Sequence, residues 1–299
     1  MPFGLKTAGA IFSRVMREVL ATLPPTEVQN FMDDLMIATK EWGRHLQVLD
    51  QVFLRLREVQ LAACPKKCIL GAEAIPFLGH YIQQGTLMPE EDKIEKLAKA
   101  APPKTKRELR AFLGLVGYYR KFIPSFAEIA LPLTDLTKGK HPDKVVWNEK
   151  CQEAFETLKK KLISKPILIL PDATKPYVLR TDASTTGLGA SLLQDQGEGL
   201  QPIAYASKKL TGAETRYHII ELECLAVVWG IRKFYPYLYG NEFTLQSDHH
   251  PLQYIDRIRP VSRRLMGWAI ELQSVAFNFQ HIPGAKNVEA DYLSRMTES

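Results

Sequence analysis

Apolar residues recur at helical spacing through Ile11, Phe12, Val15, Met16, Val19 and Leu20, which predicts an amphipathic helix capped by Thr7 and stopped by Leu23-Pro24-Pro25. Val28–Met32 and Leu35–Ala38 read as two short strands joined across Asp33-Asp34, a hairpin with acids at its tip. A helix from about Glu41 to Glu58 follows, then strands at Cys68–Leu70 and Ile75–Ile82 and a turn at Gln83–Thr86. Pro89–Lys99 reads as a short charged helix, and Pro102-Pro103 is the clearest break in the chain.

After that break, Thr105-x-x-Glu108 forms a capping box for a helix with Leu109, Phe112, Leu113 and Val116 on one face. Asn148 is placed to cap another, whose apolar side carries Ala154, Phe155, Leu158 and Leu162. From Pro171 the pattern changes again. Strands are expected at Tyr177–Ala183, Ala190–Gln194 and Pro202–Ser207, a long helix at Ile219–Leu238, and a strand at Glu242–Ser247. Helices near Pro251–Asp256 and Ser262–Gln273, a strand at Ala276–Ile282 and a last helix from Val288 complete the chain. Three strands, a helix, and further strands and helices in alternation predict a mixed sheet with packed helices. The fold class is therefore multidomain, α/β and α+β, and 299 residues suit two or three domains.

Composition is globular, with 45% hydrophobic and 24% charged residues, which excludes a disordered chain or a coiled-coil rod. No apolar run is long enough to span a membrane, and the start lacks the basic and apolar regions of a signal peptide. The net charge of +6 is unevenly placed. Residues 101–170 hold 14 basic against 7 acidic side chains, while the segments on either side are nearly neutral. Lys104, Lys106, Arg107, Arg110, Arg120 and Lys121, interleaved with Tyr118-Tyr119, form a candidate surface for a nucleic-acid backbone. The bland alternative is a solvated helical face. Cys64, Cys68, Cys151 and Cys224 lack the spacing of a zinc site and read as reduced thiols, and the adjacent His249-His250 diverge too much to be strong metal ligands.

Four acids fall where predicted elements begin or end: Asp182, Glu223, Asp248 and Asp291. Taken singly, each reads as a cap, turn former or surface charge. Brought to one sheet edge they would be different, because two carboxylates about 4 Å apart repel by roughly 4 kcal/mol at an effective dielectric of 20. Such a cluster must share protons or hold cations. Oxygen ligands with room for water suit Mg²⁺, and two ions about 3.5–4 Å apart clamp an in-line phosphoryl transfer. Competing signatures fail: Gly187-Leu188-Gly189 is followed by strand alternation instead of a helix, and no phosphate-loop, nucleophile-elbow or H-E-x-x-H motif occurs.

At these residues the chain resembles the reverse transcriptase–ribonuclease H region of gypsy-type LTR retrotransposon polyproteins, from Met1 to about Arg295. Met1-Pro2-Phe3-Gly4-Leu5 matches that family's segment beside the incoming nucleotide, and Phe31-Met32-Asp33-Asp34 its Y-x-D-D polymerase motif. Phe77-Leu78-Gly79-His80 is similar to the primer-grip strand. Phe112-Leu113-Gly114-Leu115, Tyr118–Ile123 and Pro132-Leu133-Thr134 resemble the thumb and connection. Thr181–Ser184, Glu221-Leu222-Glu223, Ser247-Asp248-His249 and Ala290–Arg295 resemble the ribonuclease H motifs. The resemblance implies a reverse-transcriptase palm remnant at 1–84, a helical thumb and connection at 85–170, and a ribonuclease H-like domain at 171–299. It further implies that Asp182, Glu223, Asp248 and Asp291 hold two Mg²⁺ or Mn²⁺ ions that hydrolyse the RNA strand of an RNA–DNA hybrid. Phe3, Gly4, Phe31, Met32, Leu78 and Gly79 would face nucleotide or primer. Glu221 rivals Glu223, but the family pattern E-x-L-A-x-V falls on Glu223–Val228. No histidine stands in Pro283–Glu289, where some ribonucleases H carry a catalytic one.

The family's third polymerase Asp lies upstream of the motif at which this chain begins. Asp33 and Asp34 are thus expected to form an incomplete polymerase site, and the chain to be a fragment that does not extend a primer by itself. RNA-directed DNA polymerase activity belongs to the full-length parent. Expected partners are RNA–DNA hybrids and DNA or RNA primer–templates, with the rest of the Pol polyprotein or a second subunit alongside, in an intracellular setting. The alternative function is a catalytically inactive or host-adopted nucleic-acid-binding remnant.

Overall fold

In the computed structural model, which describes residues 6–139, 144–164, 166–248 and 263–283, contacts divide the chain into two compact units, Met1–Gly79 and His80–Ser299. In the first unit, helix α1 (Ala8–Val19) leads to the antiparallel hairpin β1 (Val28–Phe31) and β2 (Asp34–Ile37), with Phe31 opposite Asp34. Helix α2 (Trp42–Glu58) and strand β3 (Ala74–Phe77) follow. Met16, Leu20, Leu23, Val28, Val48 and Val52 are the buried cluster, so the apolar stripes of both helices close on the hairpin.

Two local expectations fail here. Thr7 is already helical in its backbone angles, so its hydroxyl makes no capping bond. Cys68–Leu70 is not a strand: it follows a 3₁₀ turn at Pro65–Lys67, and Ile69 and Leu70 are exposed. β propensity without a neighbouring strand to pair with is not enough.

In the second unit, β4 (His80–Gln83) and β5 (Thr86–Pro89) pair across Gln84 and Gly85, both at positive φ, and β6 (Leu168–Ile169) adds to β5. The expected single strand at Ile75–Ile82 is therefore β3 and β4, split by Leu78 (φ 48°) and Gly79 (φ 70°). Helices α3 (Glu91–Ala98), α4 (Lys106–Tyr118), α5 (Phe126–Ile129), α6 (Leu131–Leu136) and α7 (Glu149–Ile163) come next. The predicted caps form: Thr105 accepts from the Glu108 amide at 3.2 Å and Asn148 from the Cys151 amide at 2.9 Å. The Glu108 carboxylate returns to the Lys104 amide rather than that of Thr105. Leu109, Phe112, Val116, Phe155, Leu158 and Leu162 bury against one another, as their spacing requires.

The remainder is a five-stranded mixed sheet in the order β11-β10-β7-β8-β9. Strands β7 (Tyr177–Ala183), β8 (Gly187–Asp195) and β9 (Leu200–Lys209) form an antiparallel meander. Strand β10 (Phe243–Ser247) runs parallel to β7, and β11 (Phe277–His281) parallel to β10. Helix α8 (Ile219–Lys233) packs on β7 and β8. The expected long helix breaks at Phe234, ahead of α9 (Tyr235–Leu238), where Pro236 removes a backbone donor. Helix α10 (Arg263–Gln273) is held to α8 by a two-pronged Arg232–Glu271 ion pair.

Close approach of α8 to the sheet depends on Gly230. A Cβ there would lie 2.9 Å from Thr181 Cγ2 and 3.4 Å from Ala190 Cβ. Gly230→Ala is therefore expected to destabilise the protein by about 1–3 kcal/mol despite alanine's better helix propensity, measured by urea unfolding.

Candidate metal centre

The strand register brings distant acids together. Arg180 on β7 pairs with Gln246 on β10. Two residues further along the chain stand Asp182, on β7, and Asp248, one residue past the end of β10, so residues 66 positions apart meet where these parallel strands end. Helix α8 crosses this part of the sheet and supplies Glu223 from its second turn. One oxygen from each of Asp182, Glu223 and Asp248 lies within 4.8 Å of the others, and this is the only such three-residue group among the described residues. Asp182 and Glu223 are buried and Asp248 is partly exposed.

The electrostatics follow from that crowding. Burial, then the neighbouring charges of Asp182 and Asp248, push the Glu223 carboxyl up to about 9 from its ordinary 4.5. A group of this kind gains from a cation that compensates the charges together. Three hard oxygen donors, one of them partly exposed, form a donor set of the kind that a hydrated Mg²⁺ or Mn²⁺ accepts.

The two glutamates of the 221–223 motif separate cleanly. Glu221 bonds the His218 amide in a capping box and pairs with Arg264 at 3.0 Å, while Arg264 stacks 4.0 Å above the Tyr217 ring. Glu221 is thus a helix-start residue, and Glu223 is the acid in the cluster. Asp291, the expected fourth acid, lies outside the described residues, as do Phe3, Gly4, His249-His250, the helix expected at Pro251–Asp256 and the last helix from Val288.

In the first unit, Asp33 and Asp34 sit at the exposed tip of the β1–β2 hairpin. Met32 takes φ 53°, an unusual value for a residue with a side chain, and the Asn30 amide group supports it by donating to the Met32 carbonyl at 2.9 Å. Phe31 and Met32 are about half exposed. No third acid joins Asp33 and Asp34 among the described residues.

The basic segment divides. Lys104, Arg107, Tyr118 and Arg120 are exposed, and Lys121 is partly buried with its ammonium 5.5 Å from the Phe122 ring centre. Lys106 is not a surface cation: it is buried, and its Nζ donates to the Lys138 carbonyl at 2.9 Å. Arg110 donates to the neighbouring Thr137 carbonyl at 3.2 Å. Both cations finish the C-terminal end of α6, where carbonyls lack helical partners.

Sequence reasoning missed two features near the acids. Arg180 Nε donates to Gln246 Oε1 at 2.6 Å and Gln246 Nε2 to Gln280 Oε1 at 2.8 Å, a polar ladder across three parallel strands. Glu128 on α5 accepts from Ser184 Oγ at 2.7 Å, next to the strand that bears Asp182. Period-two alternation at Arg180 and Gln246 hinted at a shared face; nothing local to Glu128 could reveal its partner, 56 residues away.

A mixed sheet of this order carrying an acidic trio at one edge defines a ribonuclease H-like domain. Residues 147–245 match the RNase H-like domain found in reverse transcriptase, and residues 1–82 match the reverse transcriptase (RNA-dependent DNA polymerase) family. Among curated relatives, the retrovirus-related Pol polyprotein from transposon 297 of Drosophila melanogaster is 38% identical over 99% of this chain and 28% of its own length. That from transposon 412 of the same organism is 34% identical over 99% of this chain and 24% of its own length. The Tf2-3 polyprotein of Schizosaccharomyces pombe is 32% identical over the whole chain and 23% of its own length. The foamy viral protease-reverse transcriptase in complex with RNA/DNA hybrid shares the fold at a TM-score of 0.84 and 23% identity, over all of this chain and 40% of that one. A second structure of that protein, with dsDNA, gives 0.85 and 24% over 95% of this chain and 60% of that one. Over essentially its whole length the chain is similar to transposon Pol polyproteins, and it spans about a quarter of the length of the curated relatives it matches.

Proposed function

We propose that this chain is the part of a retrotransposon Pol polyprotein that hydrolyses the RNA strand of RNA–DNA hybrids at Asp182, Glu223 and Asp248, with Asp291 as the fourth acid. The meeting of three carboxylates within 4.8 Å, where the parallel strands β7 and β10 end, carries the reading. In it, Asp182, Glu223 and Asp248 would hold Mg²⁺ or Mn²⁺. When bound, a pair of such ions activates water and stabilises the leaving oxygen. The protein's part is to fix the carboxylates: the β7–β10 register sets the two aspartates, and the packing of α8 against β7 sets Glu223. Residues 1–84, 85–170 and 171–299 correspond in this reading to palm, thumb with connection, and ribonuclease H-like parts. RNA-directed DNA polymerase activity, using Asp33 and Asp34 with Phe3, Gly4, Phe31, Met32, Leu78 and Gly79 about the nucleotide and primer, is assigned to the longer parent.

The substrate's phosphates would lie along Lys104, Arg107, Arg120 and Lys121, with Tyr118 as a stacking ring. The foamy viral protease-reverse transcriptase in complex with RNA/DNA hybrid and with dsDNA supports a duplex partner. Discrimination for the RNA strand would rest on 2′-hydroxyl and minor-groove shape contacts, without base reading. The test is an end-labelled RNA–DNA hybrid incubated with the purified chain and Mg²⁺ or Mn²⁺. Metal-dependent cuts confined to the RNA strand, absent on matched double-stranded DNA, are expected. Salt-sensitive hybrid binding without cleavage would instead support a nucleic-acid-binding remnant.

A further inference from the structure

The hairpin that follows Asp182 is gripped from outside its own sheet. Ser184 Oγ accepts from the Gly187 amide at 2.9 Å and the Thr186 amide at 3.3 Å, so the turn is folded around one hydroxyl. That hydroxyl donates to Glu128 Oε1 at 2.7 Å, and Thr186 Oγ1 lies 3.4 Å from the same oxygen. Gly187 leaves the space the carboxylate needs: a Cβ there would stand 3.1 Å from Glu128 Oε1 and 3.1 Å from the Lys208 carbonyl. Two further bonds hold the sheet beside it. The Ala127 amide donates to Ser207 Oγ at 2.8 Å, and Arg120 donates to the Ser207 carbonyl at 2.8 Å. Ser207 pairs with Gly189, and Gly189 with Asp182, so these contacts end on the strand row that carries a metal-site carboxylate.

From this geometry we infer that Glu128 is a positioning residue for the metal centre, acting through Ser184 and the β7–β8 hairpin on the Asp182 carboxylate. The inference rests on the reading of Asp182, Glu223 and Asp248 as metal ligands. Glu128 touches neither the trio nor the substrate in this scheme. Its oxygen gives the Ser184 proton a fixed destination, so the two amide bonds that shape the turn are made to an oriented lone pair. Without it the hydroxyl can rotate to the Gly187 carbonyl, 3.2 Å away, and the turn loses its external anchor. Residues 120–128 thereby couple the helical segment to the geometry of the acidic site.

The test is Mn²⁺ affinity of the whole chain without nucleic acid, by titration calorimetry, alongside hybrid cleavage as a function of Mn²⁺ concentration. Glu128→Ala should weaken Mn²⁺ binding about fivefold, the effect of one lost hydrogen bond to an oriented partner. Glu128→Gln keeps a carbonyl oxygen at the same reach and should restore wild-type affinity, which a purely electrostatic role would not. Ser184→Ala should reproduce the loss, and the double variant should be no worse than either single one. In cleavage, the half-saturating Mn²⁺ concentration should rise while kcat at saturating metal and KM for hybrid stay near wild type. Mn²⁺ affinity of Glu128→Ala and Ser184→Ala within twofold of wild type, additive losses, or failure of Glu128→Gln to restore binding would each overturn the inference. A wild-type chain that binds Mn²⁺ without cutting hybrid refutes the nuclease reading but leaves these affinities to decide the role of Glu128.

Discussion

Asp182→Asn should lower hybrid cleavage by on the order of a thousandfold or more while leaving the metal-free protein as stable as wild type or more so. Both halves follow from the same geometry. Asp182 lies in a buried row of β7, with an oxygen within 4.8 Å of oxygens of Glu223 and Asp248. With a divalent ion absent, the charges of Asp182 and Asp248 repel and keep the Glu223 carboxyl protonated, and removing one charge relieves the others. With the ion present, the same substitution would remove one of the carboxylates that would hold it, and with it the water activation and leaving-oxygen stabilisation that the metal would supply. Cleavage of a labelled hybrid at saturating Mg²⁺, paired with melting curves in EDTA, measures the two effects on one preparation. A variant that loses activity only in proportion to lost folded protein would place Asp182 in the scaffold instead of the site. Full activity in Asp182→Asn would end the nuclease reading.

Much of this was legible in the sequence because the relevant signals are local. Tyr177–Ala183 was bounded correctly by its alternation, and Asn148 caps α7 as its position before an apolar-periodic run implies. Asp182 stands one residue before the end of β7 and Asp248 one residue past β10, as their positions in the pattern imply, while Glu223 lies in the second turn of α8. What local pattern could not supply is register. That Asp182 and Asp248 fall on one edge follows from the parallel pairing of β7 with β10, which bypasses β8, β9 and α8 in sequence. The misreadings share that cause. Cys68–Leu70 has strand composition and no strand to pair with. Lys106 counts towards the excess of positive charge, yet its side chain runs inward to the Lys138 carbonyl. Glu221 and Glu223 are separable by motif, but the physical reason, one capping a helix and the other entering the acidic cluster, is visible only once α8 is docked on the sheet.

Metal-free protein should lose stability as pH rises from about 4.5 towards 9, and a divalent cation should flatten that dependence. The Glu223 carboxyl, pushed up to about 9 by burial and by Asp182 and Asp248, holds its proton in the folded chain at neutral pH. Unfolded, the same group would titrate near its ordinary 4.5. Across that window the folded state binds a proton that the unfolded state does not, so unfolding free energy falls with pH, by at most about 1.4 kcal/mol per pH unit. The contribution is fully present below the unfolded value and gone above the folded one. Binding Mg²⁺ or Mn²⁺ supplies the opposing charge in place of the proton, which predicts release of up to about one proton per chain from Glu223 at pH 7. Calorimetric titrations in buffers of different ionisation enthalpy measure that release directly, and melting curves from pH 5 to 9, with EDTA or with Mn²⁺, measure the stability side. Glu223→Gln carries no titrating group at this place, so it should abolish Glu223's share of the metal-free pH slope and of the proton release, and weaken Mn²⁺ binding as a lost ligand must. If Mn²⁺ binds the wild type without releasing protons at pH 7, Glu223 is already ionised in the folded chain, and the acidic cluster is balanced by some other positive group.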